Sequence, residues 1–157
     1  MLVYRIAKAL HEDLSGEGAR RNGGRWNSIG VPMVYTSHAL SLAALENLVH
    51  VDPDDIPDDI RSFEITIPEP VFQAGRKLAI SALPADWALT PAPSSCAALG
   101  DSWQINGVSA VLQVPSAIVP TESNFLINPR HPDAKHITVK NSSPFSYDRL
   151  IKVTGRK

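Results

Sequence analysis

The sequence is poor in the features that carry many familiar chemistries. It has one cysteine, Cys96, among 157 residues, which excludes an internal disulfide and a cysteine-based zinc site. Cys96 has no flanking signature of a nucleophile, so a small buried side chain is expected there. No run approaches the ~20 apolar residues that span a bilayer. The opening "MLVYRIAKAL" lacks the apolar stretch of a secretory leader, and a cytoplasmic location is expected. Charge of one sign is also missing: the net value is −1, whereas a general nucleic-acid binder carries a basic excess. There is no G-x-x-x-x-G-K-[ST], no H-E-x-x-H and no G-x-S-x-G. The aspartate-rich run "VDPDDIPDDI" lacks the spacing of a calcium loop and reads as a solvated turn. No metal site is expected.

What remains is the composition of one globular domain over residues 1–157, with 43% hydrophobic and 20% charged residues. "LVYRI" (2–6) reads as a strand. "VPMVYTS" (31–37) reads as a second, with Pro32 near its start. "HALSLAALENLVH" changes period: Leu42, Leu45, Leu48 and Val49 recur at helical spacing, with Ser37 as the expected N-cap. "RSFEITIPEP" puts Phe63, Ile65 and Ile67 on one face of a half-exposed strand. The proline-punctuated stretch "LPADWALTPAPSSCAALGDSWQING" allows one or two short helices. "VSAVLQVPS", "SNFLINPRHP" and "KHITVKNSSPFSYDRL" supply further strands. Strands dominate and one early helix interrupts them, which places the fold in the α+β class.

The stretch richest in chemistry is "GARRNGGRWNSIG" (18–30), with four glycines, three arginines and a tryptophan. Arginine binds anions through paired hydrogen bonds, and glycine lets backbone approach a ligand closely. An anion-binding loop around Arg25 is expected, against the alternative of an ordinary surface arginine. A strand follows the loop rather than a helix, so a dinucleotide-binding glycine motif is excluded. Tyr35 lies near the end of the second strand, where ligands meet sheets. Glu46 projects toward the apolar side of the helix, between Ala39, Leu42 and Val49. Such a carboxylate is either an ordinary helical glutamate paired with His50 at i+4 or one aimed into a pocket. Ser116, Asn124, Asn128 and His131 fall in proline-rich surroundings, and turn chemistry accounts for most of them.

Three stretches carry a resemblance. "VYRI", "GARRNGGRWNSIGVPMVYTSHALSLAALENLVH" and "LQVPSAIVPTESNFLINPRHP" together resemble the RES domain family, named for an arginine, a glutamate and a serine. The resemblance puts these on Arg25, Glu46 and Ser116, and matches Tyr35 to the family's aromatic site residue. It implies a small β-rich core with flanking helices, similar to ADP-ribosyltransferase toxins. It also implies the toxin of a bacterial toxin–antitoxin pair, partnered in a hetero-oligomer by an Xre-type helix-turn-helix antitoxin that would itself contact DNA. The implied substrate is NAD, with no further cofactor required, cleaved by hydrolysis or phosphorolysis; ADP-ribosyl transfer to a protein is the alternative activity. On this resemblance Glu46 stabilises an oxocarbenium ion, Arg25 anchors the phosphate or ribose side of NAD, Tyr35 packs on nicotinamide, and Ser116 bonds the ligand or orients Glu46. An inactive partner-binding module is the remaining reading.

Overall fold

In the computed structural model, residues 1–52, 57–148 and 150 are described; part of the aspartate-rich turn falls outside them. Seven strands join one sheet in the order β4-β5-β6-β2-β1-β3-β7. They are β1 (Leu2–Lys8), β2 (Val34–Ser37), β3 (Ile60–Thr66), β4 (Arg76–Lys77), β5 (Val111–Pro115), β6 (Ser123–Ile127) and β7 (Thr138–Pro144). All pairings are antiparallel except β4 with β5. The helices are α1 (Glu17–Asn22), α2 (Leu40–Leu48), α3 (Glu69–Gln73) and α4 (Ser94–Ile105). The α+β expectation is met, with α1 and α3 added to the early helix and the one or two short helices read from the sequence.

Strand register sorts the core into two faces. Val3, Val34, Phe63, Ile65, Val111, Phe125 and Ile127 point to one side and cluster with Val71 and Ile137. Phe63, Ile65 and Ile67 are all buried, as the alternation in β3 predicts. On the opposite side two smaller clusters stand next to each other. One sits under α2, where Ala43 and Ala44 meet Ile6, Ile60 and Tyr147. The other joins Leu112, Val114 and Leu126 to Trp26, Trp87, Cys96 and Trp103, with Tyr35 packed against it. Cys96 is buried, as expected.

Several local expectations change. The strand beginning at Val31 is strand only from Val34. Ser37 does not cap α2: Ala39 occupies the N-cap position without a side-chain bond, and the Ser37 hydroxyl is committed elsewhere. The buried face of α2 is Leu42, Ala43 and Ala44, whereas Leu45 and Val49 are exposed. Tyr147 anchors the helix through its hydroxyl, which donates to Asn47 Oδ1 at 2.8 Å. The proline-rich stretch contains the twelve-residue α4, the longest helix among the described residues.

The first part of the glycine-rich stretch is helix rather than loop. Gly16 and Gly23, both at φ 71°, bound α1, the left-handed geometry glycine tolerates at helix ends. Glu17 receives Arg20 Nε at 2.6 Å and Arg21 Nε at 2.8 Å from one turn away. These bonds hold its carboxyl down to about 2, so two of the three arginines are already paired with an anion of the chain itself.

Candidate functional site

Of the singled-out residues, Tyr35, Glu46, Ser116 and Asn124 lie on the side of the two smaller clusters. Tyr35 and Ser37 are two apart on β2 and share a face of the sheet. Ser37 pairs with Tyr4 on β1 and with Asn124 on β6, which in turn pairs with Val114 on β5. Tyr35, Ser37 and Asn124 therefore project toward the side covered by α2 and by the Trp26 cluster. Glu46 follows the buried Leu42 by one helical turn, which points it at this row.

Glu46 meets the sheet through one oxygen. Its Oε1 accepts the Ser116 hydroxyl at 2.7 Å and the Asn124 amide at 2.5 Å. The i+4 partnership with His50 is not among the bonds Glu46 makes; its partners come from β6 and from the end of β5. Ser116 is fully buried. Its backbone N–H donates to Glu122 O at 3.0 Å, and its Oγ accepts the Ile118 and Val119 amides at 3.1 and 2.9 Å. With both lone pairs occupied and the proton given to Glu46, the hydroxyl has no capacity left. Of the two roles expected of Ser116, orienting Glu46 is the one its bonding can perform.

At the other end of the row Tyr35 closes the Arg25 loop. Its hydroxyl donates to Asn27 Oδ1 at 2.7 Å and accepts the Trp26 amide at 3.0 Å. Burial pushes the phenol above its ordinary range; Asp101 adds to the rise, while the Trp26 bond and Arg25 oppose it. The hydroxyl is thus a neutral donor at physiological pH. Asn27 is buried and directs its amide to the carbonyls of Ala19, Val31 and Ser28. Gly24 bridges to Asn27, and a Cβ on it would lie 2.6 Å from Tyr35 Oη and 2.9 Å from Asn27 Oδ1. The close approach that requires glycine here is to Tyr35.

Arg25 is half-buried. Its Nη1 donates to Trp87 O at 2.6 Å and Leu89 O at 3.0 Å, pinning the segment ahead of α4 across the loop. Its Nε and Nη2 make no hydrogen bond among the described residues. Arg25 and Glu46 do not touch. They are connected through Trp26, Tyr35, β2, Ser37 and Asn124. A surface cavity of about 380 Å³ lies elsewhere, among Ala7, Lys8, Asn47, His50 and Ile60. Among the described residues no group of three His, Cys, Asp or Glu side chains could hold a metal ion, and no helix is long and apolar enough to cross a membrane.

Asn124 is the partner that turn chemistry hid. The signal available was its parity: in "SNFLI" it alternates with Leu126 on one side while Phe125 and Ile127 take the other. A polar residue inside such a strand faces a cleft or a partner.

The RES domain profile matches residues 2–148. The chain is 40% identical over 142 residues to the Prs ADP-ribosylating toxin of Sphingobium sp. strain YBL2, covering 90% of this chain and 88% of that protein. It is 41% identical over 157 residues to Toxin Res of Photorhabdus laumondii, covering 97% and 98%. In fold it is similar to the crystal structure of the M. tuberculosis MbcT–MbcA toxin–antitoxin complex, with a TM-score of 0.69 at 20% identity over 95% of this chain and 87% of that one. A match running from residue 2 to residue 148, with relatives similar along most of their length, shows that this chain belongs to the RES domain family.

Proposed function

We propose that this protein is the toxin of a toxin–antitoxin pair and that it cleaves the nicotinamide–ribose bond of NAD in the cytoplasm. The observation that carries the reading is the Glu46 carboxylate, anchored through one oxygen by Ser116 and Asn124 in a chain of the RES family. The C1′–N bond breaks with its electron pair going to the pyridinium nitrogen, so nicotinamide leaves neutral and needs no acid. The ribose is left as an oxocarbenium ion. A preorganised carboxylate beside that carbon stabilises the developing charge, a contact typically worth about 3–4 kcal/mol or ~10²–10³ in rate.

Arg25 turns its free Nε and Nη2 to the phosphate or ribose side of NAD while its Nη1 holds the loop. Tyr35, its hydroxyl occupied, offers its ring to nicotinamide. Ser116 positions Glu46. The partner is an Xre-type helix-turn-helix antitoxin that covers Arg25 and Glu46 in a hetero-oligomer and carries the DNA contacts, in keeping with the near-neutral charge of this chain.

The acceptor of the ribosyl group is water or phosphate. A protein acceptor is the second reading, favoured by the similarity to a relative named as an ADP-ribosylating toxin. NAD loss by the partner-free protein in buffers with and without phosphate, beside Glu46→Gln, tests the proposal. Loss in both buffers that Glu46→Gln abolishes means hydrolysis. Loss only with phosphate means phosphorolysis, and transfer of labelled ADP-ribose onto protein supports the second reading. Full turnover by Glu46→Gln would remove the carboxylate's role.

A further inference from the structure

Glu46 is bonded asymmetrically. Both of its donors converge on Oε1, Ser116 at 2.7 Å and Asn124 at 2.5 Å, while Oε2 receives no hydrogen bond among the described residues. We propose that Asn124 is a positioning residue that acts with Ser116 to anchor Oε1 and leave Oε2 as the oxygen presented to the ribose. The inference rests on the NAD-cleaving reading for its chemistry, and its geometry stands apart from that reading.

The two donors are fixed by their own surroundings. Ser116 spends its lone pairs on the Ile118 and Val119 amides, so its one proton has only Glu46 as a partner. Asn124 could in principle present either end of its amide. With the oxygen turned inward, two acceptors would face each other at Glu46. The NH₂ therefore faces the carboxylate, and Oδ1 is left to accept the Ser37 hydroxyl at 2.7 Å. Ser37 and Asn124 are directly paired across β2 and β6, near the middle of the sheet. This explains why Ser37 is not spent as the cap of α2. The relay Ser37–Asn124–Glu46 ties a helical carboxylate to the central strands of the sheet, and a side chain held this way keeps one rotamer without cost at the moment of reaction.

The test uses Asn124→Asp, Asn124→Ala and Ser37→Ala. Asp keeps the shape and the Ser37 contact of Asn124 but replaces its NH₂ donor with an oxygen and sets a second carboxyl against Glu46. Each variant is first checked for folding by circular dichroism and thermal midpoint. The expected result is a fall in kcat of about 10²-fold for both Asn124 variants, the cost typical of a misplaced reacting group, with KM within about twofold of wild type. Ser37→Ala shows a smaller loss in the same parameter. Because both donors serve one oxygen, Ser116→Ala combined with Asn124→Ala loses less than the product of the single losses. Unchanged kcat in Asn124→Ala, or a rise in KM alone, would overturn the proposal, the latter by making Asn124 a ligand contact.

Crystal structures of the wild type and Asn124→Ala keep the two readings distinguishable. If wild-type protein consumes no NAD, the functional reading fails while a Glu46 carboxylate displaced only in the variant still supports the anchoring. A Glu46 carboxylate that stays in place without Asn124 would refute it.

Discussion

Gly24→Ala isolates the close approach between the loop and the second strand. Gly24 does not adopt a positive φ, so alanine brings no backbone strain. Its effect is the space its Cβ would need, and that Cβ would stand 2.6 Å from Tyr35 Oη, 2.9 Å from Asn27 Oδ1 and 3.0 Å from Tyr35 Cζ. Neither neighbour is a free side-chain end: Tyr35 and Asn27 bond each other, and Asn27 is tied to three carbonyls. Overpacking of this kind costs about 1–3 kcal/mol. Loss of glycine's freedom in the unfolded chain offsets about 0.4–1 kcal/mol of it. A net destabilisation of about 1–2 kcal/mol corresponds to a fall in Tm of roughly 2–8 °C at this chain length. Tyr35→Phe removes the nearest atom but orphans Asn27 Oδ1 and the Trp26 N–H, at about 1–3 kcal/mol. The two substitutions share a contact, so the double variant is expected to lose less than the sum by at least about 0.5 kcal/mol. Urea unfolding of the four proteins reads the cycle. A Gly24→Ala protein as stable as wild type, or strict additivity, would refute the packing argument.

Gly100 of α4 faces the same loop more tightly: a Cβ there would lie 1.9 Å from Trp26 O. Gly100→Ala is expected to lower Tm more than Gly24→Ala, and a smaller drop in the same thermal scan contradicts that ranking. Arg25→Ala releases the Trp87 and Leu89 carbonyls together, so limited proteolysis should cut within residues 84–92 sooner than in wild type; an unchanged cleavage map would show that the segment holds itself. Alkaline pH should weaken the fold through Tyr35 and Tyr147. Burial raises both phenols, Tyr147 to about 12. A folded pKa above the unfolded one gives stability that is complete below the unfolded value, near 10, and lost as pH rises toward the folded value. Tm should fall from pH about 10 upward. Tyr147→Phe should flatten that fall, and an equally steep profile in the variant would count against the assignment.

The legible parts of the fold are those where one face is apolar and long enough to repeat. β3 is an example, with Phe63, Ile65 and Ile67 all buried. α4 was illegible beyond one or two short helices because its buried positions are Cys96, Gly100, Trp103 and Gln104: small, aromatic and polar residues without an apolar stripe. β4, only two residues long, and α3, only five, offer no period to count. Gly18–Asn22 read as loop because helix propensity disfavours glycine, but the Glu17 bonds to Arg20 and Arg21 and the left-handed glycines at either end outweigh it.

The site divides along the same line. Glu46 stood out because a carboxylate beside Leu42 demands a partner, and that demand can be read locally. Who answers it cannot, because the answer depends on strand register. Ser37 shows the difference. A serine just before a helix has the chemistry of a cap, and its sequence neighbours offer no reason to think otherwise. The helix starts at Leu40, and β6 brings Asn124 directly opposite Ser37, so the hydroxyl bonds across the sheet. The arginines follow suit: two are balanced locally by Glu17, and the third is held by carbonyls more than sixty residues away. Residue type sets what each polar group can bond, and the pairing of β2 with β6 decides which of those bonds forms the site.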